Sequence, residues 1–99
     1  MIASREDTRQ ALVALLPHLR ERYGVGRLWI VGSRARGDHR PDSDLDLMVE
    51  FERRGISLID FCGMEIELEE ALGVAVDIVE RDASKPRVSQ ELEREKVPV

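Results

Sequence analysis

Three short apolar runs constrain this chain most, because each has the length and the residue types of a β-strand. They cover residues 25–31, 45–51 and 74–80. In the second of these, Leu45, Leu47 and Val49 alternate with Asp46 and Met48, which predicts that the two sets lie on opposite faces. The stretches 4–23 and 58–72 instead repeat apolar side chains every three or four residues, which is typical of a helix with one buried face. This order predicts an α/β fold in which helices flank a small β-sheet.

Polar residues and glycines mark the expected ends of the two long helices. Ser4 is followed three residues later by an acid, which resembles a capping box, and Ser57 is the expected N-cap of the second helix. We expect Gly24 or Gly26 to end the first helix and Gly73 to end the second.

The remaining segments are short. Residues 86–96 predict a last helix with Val88 and Leu92 directed inward. Residues 32–44, between the first two strands, are polar and leave room for one helical turn. A parallel crossover needs a dozen or more residues and usually a whole helix, so a polar link of 13 residues is marginal for one and favours a mixed sheet.

Length and composition limit the function classes. With 99 residues, 42% of them hydrophobic, the chain is expected to form one domain over residues 1–99. No apolar run reaches the roughly 18 residues of a membrane span, and no signal-peptide pattern is visible. Cys62 is the only cysteine, which excludes an internal disulfide. We expect a cytoplasmic protein.

Charge is distributed unevenly along the sequence. The formal net charge of −5 argues against nucleic-acid binding by bulk electrostatics. Residues 27–41, however, contain four arginines and one aspartate, a net charge of +3, and three aspartates follow at once: Asp42, Asp44 and Asp46. A basic loop that leads into an acidic cluster predicts a site for a polyanion together with a cation.

Three aspartates are candidates for that cation site. Side chains two apart on a strand share a face, so Asp44 and Asp46 are expected ~6.6 Å apart at the backbone. Asp77 lies within an apolar strand, where a charge is costly unless it is paired or metal-bound. If the two strands are neighbours, three carboxylates meet, as two-metal phosphoryl or nucleotidyl transfer requires.

A glycine turn precedes these acids. Gly32 follows an apolar strand and permits a backbone that a side chain would block. Backbone amides in this turn and the Ser33 hydroxyl can hold a phosphate.

The pattern Gly32-Ser33, ten residues, then Asp44-Leu45-Asp46 resembles the nucleotidyltransferase signature of the DNA polymerase β-like superfamily. Residues 31–51, 58–79 and 92–99 resemble the minimal nucleotidyltransferases (MNT) in particular. The resemblance implies a polymerase β-like palm fold.

Members of that family commonly act as antitoxins paired with a HEPN toxin, which is a helical ribonuclease. Those characterised transfer AMP from ATP to a tyrosine of the toxin. For this chain the resemblance therefore implies a nucleoside triphosphate, a protein partner and a hetero-oligomer. The hydropathy and the net charge, independently of the resemblance, predict no membrane partner and no strong direct nucleic-acid binding.

The resemblance also implies a role for each motif residue. Gly32 and Ser33 are expected to hold the β- and γ-phosphates of ATP. Asp44, Asp46 and Asp77 are expected to be catalytic and to bind two Mg²⁺ ions. Three further positions are expected to contact the triphosphate or to shape the loop: Arg34, Arg36 and Ser43.

Three hypotheses stay open at this point. The first is an antitoxin that adenylylates its partner protein. The second is a nucleotidyltransferase that acts on a small molecule or an RNA end. The third is a non-catalytic binding module that neutralises its partner by occlusion.

Overall fold

The computed structural model describes residues 4–52, 56–81 and 90–99. In these ranges the chain forms α1 (Arg5–Tyr23), β1 (Val25–Val31), α2 (Ser33–Arg36), β2 (Leu45–Phe51), α3 (Leu58–Leu72), β3 (Val76–Glu80), α4 (Gln90–Glu95) and β4 (Val97–Pro98). None of the helices in these ranges is long and apolar enough to cross a membrane.

The ends of the long helices agree with the sequence signals. Ser4 caps α1 in a capping box: its hydroxyl accepts a hydrogen bond from the amide three residues on, whose carboxylate accepts one from the Ser4 amide. Gly24, with φ of +74°, ends α1, so the choice between Gly24 and Gly26 is settled for the first. Ser57 and Gly73 bound α3 as predicted.

The first two predicted strands are confirmed with their boundaries as β1 and β2. The third begins at Val76, two residues later than predicted. Gly73 leaves α3 in the left-handed conformation, and residues 74 and 75 then carry the chain to the edge of the sheet. There the Val76 amide donates to a carboxylate oxygen of Glu69 at 3.1 Å, which joins the start of β3 to α3.

The C-terminal part agrees only partly with the prediction. The structure describes α4 from Gln90, whereas residues 86–89, including Val88, lie outside the described residues. Leu92 packs inward as predicted. The short strand β4 was not predicted, because a two-residue strand that contains a proline has no periodicity to read.

The strands form one mixed four-stranded sheet in the order β3-β2-β1-β4. β1 pairs antiparallel with β2 and with β4, whereas β2 and β3 are parallel and joined through α3. The predicted mixed sheet flanked by helices is therefore confirmed. β2 lies in the middle of the sheet, between β1 and β3.

The two faces of this sheet are covered differently. Under α1 and α3 lies the larger cluster of buried side chains, which includes Leu12, Leu19, Ile30, Leu47 and Met64. The opposite face carries a smaller buried cluster of Trp29, Val31 and Met48, against which Leu92 of α4 packs. We call these the covered face and the site face, because the aspartates lie on the second.

Candidate active site

Two of the three aspartates lie side by side on the site face. The parallel register of β2 and β3 pairs Asp46 with Asp77. Paired residues on neighbouring strands direct their side chains to the same face of the sheet. The expectation that Asp77 joins Asp46 from a separate strand is met by this register.

Asp44, the third aspartate, affects the ionisation of the Asp46 carboxyl group. Asp44 is exposed and lies one residue before β2, two residues from Asp46. The pKa of Asp46 is raised, first by burial and then by the negative charges of Asp77 and Asp44, whereas Arg36 lowers it. These carboxylates therefore repel one another, and a cation would relieve that repulsion.

The aspartates do not form a closed ligand cage. Among residues 4–52, 56–81 and 90–99, no three His, Cys, Asp or Glu side chains are grouped closely enough to hold a metal ion. Asp44 and Asp77 are exposed, so rotamer changes are open to both of them. The donor set itself, carboxylate oxygens alone, suits a hard divalent cation such as Mg²⁺.

Gly32 lies directly against Asp46. Its φ of +74° and ψ of −152° belong to a region that is essentially restricted to glycine. A Cβ at this position would overlap Oδ2 of Asp46 and lie 3.2 Å from its Cβ and Cγ. Glycine is therefore required twice here, by the backbone conformation and by the space that the carboxylate occupies.

The single turn α2 follows Gly32 and is closed by local hydrogen bonds. The Ser33 carbonyl accepts from the amides of Gly37 at 2.9 Å and Asp38 at 3.1 Å. From α1, Nη1 of Arg5 donates to the carbonyl of Ala35 at 3.0 Å. These contacts fix the turn that carries Ser33 at the end of β1.

Arg34 and Ser43 shape the loop between α2 and β2. Arg34 is completely buried, and its Nη2 donates to the carbonyls of Ser43 at 2.9 Å and Pro41 at 3.4 Å. The Ser43 hydroxyl accepts from the amide of Arg40 at 2.8 Å, which closes a turn. These contacts are consistent with the loop-shaping role expected for Arg34 and Ser43, and the Arg34 side chain is closed off from solvent.

Arg36 is the exposed arginine of the motif. Its guanidinium forms ion pairs with Asp38 at 3.1 Å and with Glu95 of α4 at 2.9 Å. Its charge also lowers the pKa of Asp46. Arg36 is thus close enough to Asp46 to act on it, and a phosphate would compete with Glu95 for its guanidinium.

Sequence reasoning missed how α4 is fastened to the site face. Glu93 accepts from Arg81 and from Lys96, each at 2.6 Å. Both cations also lie over the ring of Trp29, at 5.5 Å and 5.1 Å from its centroid. The spacing of Glu93 and Lys96 was a usable signal for the local pair, but the partnership with Arg81 depends on the tertiary fold.

This fold and site define a class. Residues 12–99 match the family model described as the nucleotidyltransferase domain. The chain belongs to that family and is a nucleotidyltransferase.

The relatives narrow the class further. The chain is 38% identical over 94 residues, 95% of its length and 94% of the relative's, to the protein adenylyltransferase MntA of Thermococcus cleftensis, and it belongs to the same family. A solved structure of a minimal nucleotidyltransferase matches with a TM-score of 0.77 and 40% identity, covering 98% of this chain and 97% of that one. The expected minimal nucleotidyltransferase fold is confirmed.

A more distant likeness concerns the fold alone. A toxin–antitoxin crystal structure with AMP-PNP matches with a TM-score of 0.72 at 20% identity, covering 90% of this chain and 69% of that one.

Proposed function

We propose that this chain is the antitoxin of a toxin–antitoxin pair and transfers AMP from ATP to a tyrosine of its partner, a HEPN-type ribonuclease. The name of the MntA relative supports transfer to a protein, and the toxin–antitoxin complex with AMP-PNP supports both a protein partner and an adenine nucleotide. The use of ATP favours a cytoplasmic location.

One observation carries the catalytic part of the proposal. Asp46 and Asp77, from separate strands, are paired in register on the site face, and Gly32 lies against Asp46. This arrangement joins a carboxylate cluster to a glycine turn at the end of a strand. Nucleotidyl transfer needs both, because one group must hold cations and the other must hold the leaving phosphates.

Each residue then has a proposed role. Gly32 and Ser33 bind the β- and γ-phosphates through the turn that begins α2. Asp44 and Asp46 would hold both Mg²⁺ ions, and Asp77 would hold one of them. When bound, the ions lower the pKa of the acceptor hydroxyl and neutralise charge on the leaving pyrophosphate.

The proposed transfer is a single displacement at the α-phosphorus of ATP. The tyrosine oxygen forms a bond to the α-phosphorus of ATP while the bond from that phosphorus to the bridging oxygen breaks. Pyrophosphate leaves with the electron pair, and the phenolic proton passes to the carboxylate of Asp77. Arg36 contributes positive charge beside the triphosphate when it is released from Glu95.

The exposure of the site favours a protein acceptor. Among the described residues, Asp44 and Asp77 are both exposed, so the site is open to solvent there. A docked protein supplies the missing walls itself, whereas a small molecule or an RNA end depends on walls that this chain would have to provide.

Occlusion without catalysis is a second candidate, and a separate observation favours it. α3 exposes three large apolar side chains: Leu58 at 77%, Ile59 at 84% and Ile66 at 55%. Such a surface suits a protein contact and would work without any chemistry.

The test measures two things: the protection of cells from the toxin, and the transfer of AMP to the toxin by mass spectrometry. In the presence of ATP and Mg²⁺, we expect the double variant Asp44→Asn/Asp46→Asn to transfer no AMP to the cognate toxin. We also expect that it no longer protects cells from the toxin. The control Asp42→Asn, in the same loop and also exposed, should transfer AMP to a toxin tyrosine as the wild type does. Full protection by the double variant at native stoichiometry would favour occlusion, and an unmodified toxin with the wild type would refute the proposed acceptor.

A further inference from the structure

The burial of Arg34 is the least expected feature of the site. Arg34 has no solvent exposure and is the largest fully buried side chain among the described residues. Its described hydrogen bonds go to two backbone carbonyls, and within the described part of the chain its Nε and Nη1 are buried without a partner. A buried guanidinium that lacks a carboxylate partner lowers the stability of the fold. Arg34 is therefore expected to serve the site rather than the stability of the chain.

The two carbonyls that accept hydrogen bonds from Arg34 lie in the loop that leads to Asp44. Ser43, whose carbonyl is 2.9 Å from Nη2 of Arg34, directly precedes Asp44. The next residue, Leu45, is already fixed in the sheet because its amide donates to the carbonyl of Ala75 at 2.8 Å. Asp44 itself lies outside the strand, so its backbone is held by Leu45 on one side and by the Arg34 contact on the other.

Arg34 also comes from the element that packs against Asp46. It is the second residue of α2, whose N-cap is Gly32, and Gly32 contacts the Asp46 carboxylate. Its side chain therefore joins the turn beside Asp46 to the loop that carries Asp44. Arg36, two residues on, is exposed and ion-paired, and it acts on Asp46 through its charge. Arg34 differs because it is buried and acts through hydrogen bonds to the backbone.

We infer that Arg34 is a positioning residue that fixes Asp44 relative to Asp46 for a shared divalent cation, and that it does not contact the nucleotide. The inference rests on the proposed function for the cation itself, but the loop-holding part stands independently of it. Outer-layer contacts of this kind orient metal ligands, and their loss typically reduces metal affinity by about 10- to 100-fold.

The test uses AMP-PNP as the probe, with and without MgCl₂, in calorimetry of the full chain. We expect Arg34→Met to weaken AMP-PNP binding about tenfold or more in Mg²⁺ and less than about twofold without it. Arg34→Lys, which keeps the charge and one donor, should recover part of the loss. Arg40→Gln is the matched control, because it removes a positive charge from the same loop without breaking the Arg34 contacts. Any loss of AMP-PNP affinity that comes from the charge alone should be the same with and without Mg²⁺.

A second measurement needs neither metal nor nucleotide. In Arg34→Met, amide hydrogen exchange should accelerate at Ser43, whose amide donates to the carbonyl of Arg40 at 3.0 Å, while Leu45, bonded into the sheet, keeps its protection. If Arg34→Met does not fold, Arg34→Lys provides both comparisons.

The outcomes separate the possibilities. Equal loss of AMP-PNP affinity with and without Mg²⁺ would mean that Arg34 contacts the nucleotide. A lower melting temperature with unchanged Mg²⁺-dependent binding and unchanged exchange would reduce Arg34 to a structural residue, and either result overturns the inference. If the wild type itself shows no Mg²⁺ dependence, the metal part of the proposed function fails, and hydrogen exchange still decides whether Arg34 holds the loop.

Discussion

The covered face and the site face are built from alternating residues of the same strands, yet they are under opposite constraints. In β2, Leu45, Leu47 and Val49 are completely buried beneath α1 and α3, whereas Asp46, between two of them, points to the site face with a raised pKa. Apolar burial stabilises the first face, and mutual repulsion of carboxylates destabilises the second. The fold is therefore stabilised on one face of the sheet and carries its chemistry on the other.

The largest expected effect is on the covered face. Leu47 is completely buried, and Leu47→Ala removes apolar contacts and leaves a cavity, which should lower the free energy of unfolding by about 2–5 kcal/mol. Urea denaturation measures it. The neighbouring change Asp46→Asn, one residue away on the opposite face, is the control and should cost no stability. Similar losses for both variants would contradict the difference between the faces.

A smaller loss of stability is expected for a substitution at Gly32, which lies against Asp46. Gly32→Ala forces alanine into a backbone region that is essentially restricted to glycine, at a cost of about 1–3 kcal/mol, and pushes the new Cβ into the Asp46 carboxylate. We therefore expect both lower stability and weaker Mg²⁺-dependent AMP-PNP binding.

Gly37→Ala is the matched control for this change. Gly37 also has a positive φ, of +81°, but a Cβ there would meet nothing within 4 Å. It should lose stability through backbone strain and keep Mg²⁺-dependent binding. Equal binding by the two alanine variants would show that contact between position 32 and Asp46 does not matter.

The contrast between the faces also explains what the sequence could predict. Alternation along β2 assigned Leu47 and Asp46 to opposite faces, and the capping residues Ser4 and Ser57 located the helices, because each of these signals is local. The meeting of Asp46 with Asp77 was predicted only on the condition that their strands are neighbours, and the sheet order β3-β2-β1-β4 meets that condition.

Other features could not be predicted, because they depend on tertiary packing. Four arginines occur in residues 27–41, and nothing in their spacing distinguishes Arg34, which is buried, from Arg36, which is exposed. The contact between Gly32 and Asp46 joins the turn after β1 to β2 and has no local signature. The position of α4 on the site face depends on Arg81 and Glu93, which meet only in the folded chain.

The smallest expected effect concerns pH and isolates the repulsion on the site face. In the folded chain the pKa of Asp46 lies above its usual value of 3.8, first because of burial and then because of Asp77 and Asp44. The folded state therefore binds this proton more tightly than the unfolded state does. The contribution of Asp46 to stability falls as pH rises from its usual pKa through its raised pKa, and the cost remains at neutral pH.

Asp46→Asn removes that cost without removing a buried apolar group. In EDTA, the variant should melt at a higher temperature than the wild type at pH 7, and the difference should shrink as the pH falls below the usual pKa of aspartate. Added salt should reduce the difference because it screens the charges of exposed Asp44 and Asp77. Added Mg²⁺ should raise the melting temperature of the wild type more than that of the variant. A variant that melts lower than the wild type in EDTA at pH 7 would show that the carboxylates are stabilised by the fold rather than strained within it.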